Sequence, residues 1–165
     1  MIQKEKLTKI VGAGNVSDDQ AVLEEYSSDV SFVNRIRPVC VVKPADAKQI
    51  QKLVNLANET QTPLVPVSSG PPHFRGDTVP GIGGAVVVDL SRMKKIISVD
   101  RPRRVAMVEP GVTFGELIPA AAKAGIRLIK DHRRQFTGER TGDYAKVPVG
   151  YLGSACMRRG HLRLR

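Results

Sequence analysis

The residues with most to offer chemically lie between Pro63 and Met93, in the stretch PLVPVSSGPPHFRGDTVPGIGGAVVVDLSRM. Gly70, Gly76, Gly81, Gly83 and Gly84 have no Cβ to hold a ligand away from the main chain. Ser68 and Ser69 add hydroxyls, and His73 and Arg75 add ring and guanidinium donors. Backbone N–H groups in successive turns form a concave nest that suits a phosphate or pyrophosphate. The chemistry is anion cradling, of the kind a nucleotide cofactor needs. A glycine-rich surface connection has the same composition, and this stretch alone leaves both readings open. Asp89 and Glu109, at strand ends, read as loop-fixing rather than catalytic. No paired carboxylates, Ser–His arrangement or metal-ligand spacing points to hydrolysis or metal chemistry, so no metal is expected and the catalytic residues stay unknown.

Two β-branched runs must hold this loop. Leu64, Val65 and Val67 precede it and Ala85–Leu90 follows it, and both read as strands. Upstream, Val39-Cys40-Val41-Val42 between Pro38 and Pro44 reads as a buried strand. Asp46 then caps an amphipathic helix over 47–60, with Ile50, Leu53, Val54, Leu56 and Ala57 as its apolar stripe. Strand, helix and strand together are long enough for a right-handed parallel crossover. Nearer the N-terminus, Ile2, Leu7, Ile10 and Val11 mark a helix ended by Gly12, and Ser17 is expected to cap a second over 18–26. Beyond the loop, strands over 96–99 and 105–109 flank the turn Asp100-Arg101-Pro102-Arg103. Thr113 caps a helix over 114–124, Gly125 ends it, and 126–129 reads as a further strand. The fold class is α+β, a mixed sheet with flanking helices.

Composition narrows the function. Of 165 residues, 41% are apolar and 25% charged, a globular balance. Aromatics reach only 4% with no Trp, which leaves little for stacking single-stranded nucleic acid. The net charge of +10 is uneven: residues 130–165 hold 9 Lys/Arg against 3 Asp/Glu, residues 1–129 hold 17 against 13. Cys40 and Cys156 show no paired spacing, and Cys40 reads as a buried thiol. The start MIQKEKLTKI lacks an apolar leader core and no stretch reaches membrane-spanning length, so a cytoplasmic location and no membrane span are expected.

Taken in order, the strand ending at Pro44, the helix ending Ala57-Asn58, the Pro66–Gly76 loop, Asp89-Leu90-Ser91-Arg92-Met93 and Val108-Glu109-Pro110-Gly111-Val112 carry a resemblance. Between about Tyr26 and Ile129 the chain resembles the FAD-binding domain of the vanillyl-alcohol oxidase and p-cresol methylhydroxylase family, and within it the glycolate oxidase and D-lactate dehydrogenase kind. The resemblance implies FAD as cofactor. It also implies that the loop Val67, Ser68, Ser69, Gly70, Pro71, Pro72, His73, Phe74, Arg75 and Gly76 wraps the FAD pyrophosphate with backbone N–H groups. Pro71-Pro72 departs from the family's glycine-rich pattern, because proline has no N–H to donate. The Ser68 and Ser69 hydroxyls and the Arg75 guanidinium are available substitutes. Some relatives tether the flavin through a histidine, so His73 has two roles open to it: a covalent link, or a solvent-facing or phosphate-bonding side chain.

The resemblance further implies a flavin-dependent oxidoreductase acting on a 2-hydroxy acid such as glycolate or lactate, with this chain as the N-terminal part of the FAD-binding domain. Three regions are expected: a helical lead-in over 1–37, the partial FAD-binding domain over 38–129, and an atypical basic tail over 130–165. Back-translated with permissive codons and shifted by one nucleotide, the tail can encode a family-like continuation, so it is expected to be out of frame. Without a substrate domain, activity of the chain alone stays uncertain. Two alternatives come from other classes. One is a non-catalytic remnant or partner subunit that completes a flavin site with another oxidase chain. The other is a basic nucleic-acid module built on Arg133, Arg134, Arg140, Arg158, Arg159, Arg163 and Arg165. The balanced body argues against the second, and no nucleic-acid partner is expected.

Overall fold

The computed structural model describes residues 2–29, 32–68, 79–126 and 162–163. They belong to two compact units, 1–93 and 94–165. Both are α+β.

The first unit is a four-stranded mixed sheet. Its strands are β1 (Val16–Ser17), β2 (Cys40–Val42), β3 (Leu64–Val67) and β4 (Val86–Asp89), in spatial order β1-β2-β4-β3. β1 is antiparallel to β2, while β2, β4 and β3 run parallel. β2 and β3 are joined through a helix, yet β4 lies between them. The reason is visible in β4, whose four residues are all buried, the near-continuous apolar run of a strand covered on both faces. β3 takes the edge, where Pro66, lacking an N–H, is tolerated.

Helices α1 (Lys4–Val11), α2 (Gln20–Glu25) and α3 (Ala47–Thr60) cover the sheet. Side-chain alternation along the strands sorts the core into two layers. Cys40, Val42, Val86 and Val88 pack with Leu7 and Val11 of α1 and Leu53 and Leu56 of α3. Val41, Val67 and Val87 pack with Leu23 of α2 and with Tyr26. Residues 1–37 therefore supply β1, α1 and α2 to this same sheet and core. Two local expectations are corrected. Asp19, not Ser17, caps α2, its Oδ1 accepting from the N–H groups of Ala21 and Val22 at 3.0 and 3.2 Å, because Ser17 is already engaged in β1. In α3 the buried stripe is Leu53, Leu56 and Ala57, and Val54 turns 41% of its surface to solvent.

The second unit pairs β5 (Ile96–Asp100) and β6 (Val105–Val108) as an antiparallel hairpin, with β7 (Leu162–Arg163) added along β6. Arg104 closes the hairpin turn with φ +54°. Helix α4 (Phe114–Lys123) contributes Phe114, Leu117 and Ala121 to a core completed by Ala106, Val112 and Ile126. Gly125 ends α4 at φ +71°, a left-handed conformation that suits glycine. Ile126 lies outside any strand, and 127–129 lie outside the described residues.

α4 opens on a full capping box: the Thr113 hydroxyl accepts from Glu116 N–H at 3.3 Å, and Glu116 Oε2 accepts from Thr113 N–H at 2.7 Å. Partial burial works against the Glu116 charge, but the Thr113 N–H and hydroxyl and the Lys94 ammonium outweigh it and hold the carboxyl below its ordinary value of 4.5. A carboxyl depressed in the folded state stabilises above its unfolded value and loses that contribution as pH falls through the folded one. Thr113→Ala is accordingly expected to cost about 1 kcal/mol at neutral pH. In urea titrations the gap to the parent chain should shrink as the pH drops below 4.5, leaving the part due to the Glu116 N–H bond; a gap constant down to strong acid would refute the contribution of the Glu116 carboxylate.

Candidate functional site

Parallel β2, β4 and β3 end at one edge of the first unit's sheet, with Val42 in register with Val88 and Val67 with Asp89. The glycine-rich loop leaves from that edge. Val67 is buried and its carbonyl accepts from Leu90 N–H at 2.7 Å; Ser68 follows, half-buried. Of the residues expected from sequence to cradle an anion, these two are placed. Ser69, Gly70, Pro71, Pro72, His73, Phe74, Arg75 and Gly76 lie outside the described residues. The chain re-enters at Val79, which is buried, and Gly84 turns it into β4 with φ +82°.

A polar cluster sits at the same edge. Asp89, with no exposed surface, accepts from the Tyr26 hydroxyl at 2.7 Å through Oδ2 and from Ser91 N–H at 2.8 Å through Oδ1. Lys43 Nζ stands 3.7 Å from Oδ2, its side chain 42% exposed. Arg92 Nη1 donates to the Lys43 carbonyl at 2.9 Å, tying the turn after β4 to the end of β2. Burial first, then the Asp89 charge, raises the Tyr26 phenol above its ordinary value. Asp89 thus fixes loops, as its position at a strand end suggests. In the second unit Glu109 acts similarly, accepting from Lys95 N–H at 2.8 Å.

The chemistry open to this edge is anion binding. Two cations stand there: Lys43, drawn to Asp89 by charge, and Arg92, held by its bond to the Lys43 carbonyl, both with N–H donors left for water. A diphosphate cofactor fits such a donor set. Sequence reasoning missed Lys43, Arg92 and Tyr26 as members of the edge. The signal available was the placement of Lys43 straight after the β2 run and of Arg92 three residues after Asp89. Cys40 is a core side chain, its thiol pushed up to about 11 chiefly by burial. Among the described residues no helix is long and apolar enough to cross a membrane.

Comparison with known proteins shows the family. The model of the FAD binding domain family matches residues 38–138. The 1'-carboxy-chondrochloren decarboxylase of Chondromyces crocatus is 30% identical over 73% of this chain and 22% of its own length. Glycolate oxidase subunit GlcD of Bacillus subtilis is 30% identical over 74% of this chain and 26% of its own. The crystal structure of p-cresol methylhydroxylase with substrate bound superimposes with a TM-score of 0.65 at 30% identity, over 73% of this chain and 24% of that one. The chain thus spans about a quarter of the length of the relatives it matches. A matched family model and a shared fold agree on FAD as the cofactor, and the chain belongs to the FAD binding domain family.

Proposed function

We propose that residues 67–76 bind the pyrophosphate of FAD, and that the protein containing this domain is a flavin-dependent oxidoreductase acting on a 2-hydroxy acid such as glycolate or lactate. The observation that carries the reading is the departure of the loop, at Ser68, from the edge where Lys43 and Arg92 sit. The bound flavin would supply hydride acceptance, and this chain's residues supply binding and electrostatics. Likeness to the glycolate oxidase subunit supports the 2-hydroxy acid.

The test is an absorbance spectrum and an FAD titration of the purified chain. Flavin bands that saturate with added FAD are the expected result, with colour released on denaturation if His73 is not a covalent site and retained if it is. A colourless chain that ignores FAD refutes the binding reading. For the substrate, glycolate and lactate should bleach the flavin of the full oxidoreductase anaerobically, and failure of both would remove the 2-hydroxy acid.

A second reading, a subunit that completes a flavin site with another chain, draws support from the second unit's sheet, where Ile97 and Met107 are 59% and 43% exposed. The division into lead-in, FAD-binding part and a tail out of frame after about Lys130 belongs to the same proposal, as does a cytoplasmic location. The nucleotide sequence around codon 130 decides the frame.

A further inference from the structure

Asp89 is the one buried carboxylate among the described residues, and a buried carboxylate is a costly choice for a strand end that valine or leucine would fill. Its partners come from separate parts of the chain. Tyr26 follows α2, Lys43 follows β2, and Ser91 opens the turn after β4. The main chain joins them to a fourth segment, since Asp89 is in register with Val67 and Leu90 N–H bonds the Val67 carbonyl at 2.7 Å. Four segments are thereby indexed to one carboxylate at the edge where the loop begins. The Lys43 ammonium, at 3.7 Å, is drawn by the charge without being consumed in a hydrogen bond, and Arg92 fixes the Lys43 main chain through its carbonyl.

We infer that Tyr26 and Asp89 are positioning residues for the FAD phosphates: they preset the Lys43 ammonium and the start of the loop at Val67, so that a diphosphate meets an ordered positive edge. The inference rests on the FAD-binding reading. Its physical content is preorganisation, since a site ordered before binding loses less entropy when the ligand arrives. Asp89 acts through Lys43 and Val67 and touches no phosphate itself.

The experiment compares the full chain with Tyr26→Phe, Lys43→Gln, Lys43→Arg and, as a core control on the opposite face of the sheet, Leu7→Ala. FAD affinity is measured by titration, and edge order by hydrogen exchange at the Leu90 and Ser91 amides. Tyr26→Phe should speed exchange at both amides and weaken FAD about tenfold, the loss expected for one charge-assisted contact. Leu7→Ala should leave FAD affinity near that of the parent. Lys43→Gln should weaken FAD to a similar degree with a smaller rise in exchange than Tyr26→Phe, and Lys43→Arg should restore binding. The inference is overturned if Tyr26→Phe binds FAD no worse than Leu7→Ala, if its exchange at Leu90 and Ser91 is unaltered, or if Lys43→Gln binds like the parent. A parent chain that binds no FAD overturns the functional reading first, and is distinguished because it needs no variant to be seen.

Discussion

Asp89→Ala is expected to lower the unfolding free energy by about 3 kcal/mol, since it removes hydrogen bonds to a charged acceptor from a dry site. The side chain has no exposed surface, so water cannot replace what the carboxylate did for Tyr26 and Ser91. Asp89→Asn keeps the shape and one accepting oxygen, which can still take the Ser91 N–H, while its NH2 cannot accept from the Tyr26 hydroxyl and the attraction of Lys43 is lost. That attraction is screened, the lysine being 42% exposed, so most of an expected cost of about 2 kcal/mol comes from the Tyr26 bond. Urea unfolding followed by far-ultraviolet circular dichroism measures both. Equal losses for Ala and Asn would show that the Ser91 bond adds nothing to the cluster. The pH dependence has a definite sign. The Tyr26 phenol is raised from 10.0 in the folded chain, so the unfolded chain releases that proton first. The contribution is whole below pH 10 and is lost as the pH climbs beyond it.

Leu117→Ala is expected to cost about 2–5 kcal/mol, with the value in the upper half of that range. Leu117 has no exposed surface and packs in the second unit's core with Ala106, Val112, Phe114, Ala121 and Ile126. Two of those neighbours are alanines, which have no atoms to swing into the space, so the cavity should persist. Leu117→Met fills nearly the same volume and should lose less than about 1.5 kcal/mol. Hydrogen exchange adds a regional check: the amides of β5, β6 and α4 should exchange faster in Leu117→Ala. Similar losses for Ala and Met would mean that the core closes over the gap.

What could be read from sequence was what neighbours in sequence decide. Asp46 and Thr113 begin their helices through side chains that reach three residues along, to the N–H groups of Gln49 and Glu116, and both helices start where those caps put them. β3 runs over the expected residues because Thr62-Pro63 before it and Ser68 after it are local breaks. β1 was not legible, since two residues become a strand only by pairing with β2. Nor was the outward turn of Val54, which depends on how α3 lies against the sheet rather than on its apolar character. At the candidate site, Asp89 announced a fixing role. Tyr26, 63 positions from Asp89, could not be paired with it without the fold.

The seating of β4 between β2 and β3 has a consequence for biosynthesis. Everything up to Gly84 leaves the ribosome before the strand that joins its neighbours does, so for that interval β2 and β3 have no strand to pair through. The segment that supplies it, Val86-Val87-Val88-Asp89, must bond along both edges, and contacts so distant in sequence form late. Until then either edge will accept any extended apolar segment, including the same segment of a second nascent chain. The yield of properly assembled protein should therefore be sensitive to translation speed and crowding over the codons between Val67 and Asp89, the stretch that also encodes the glycine-rich loop.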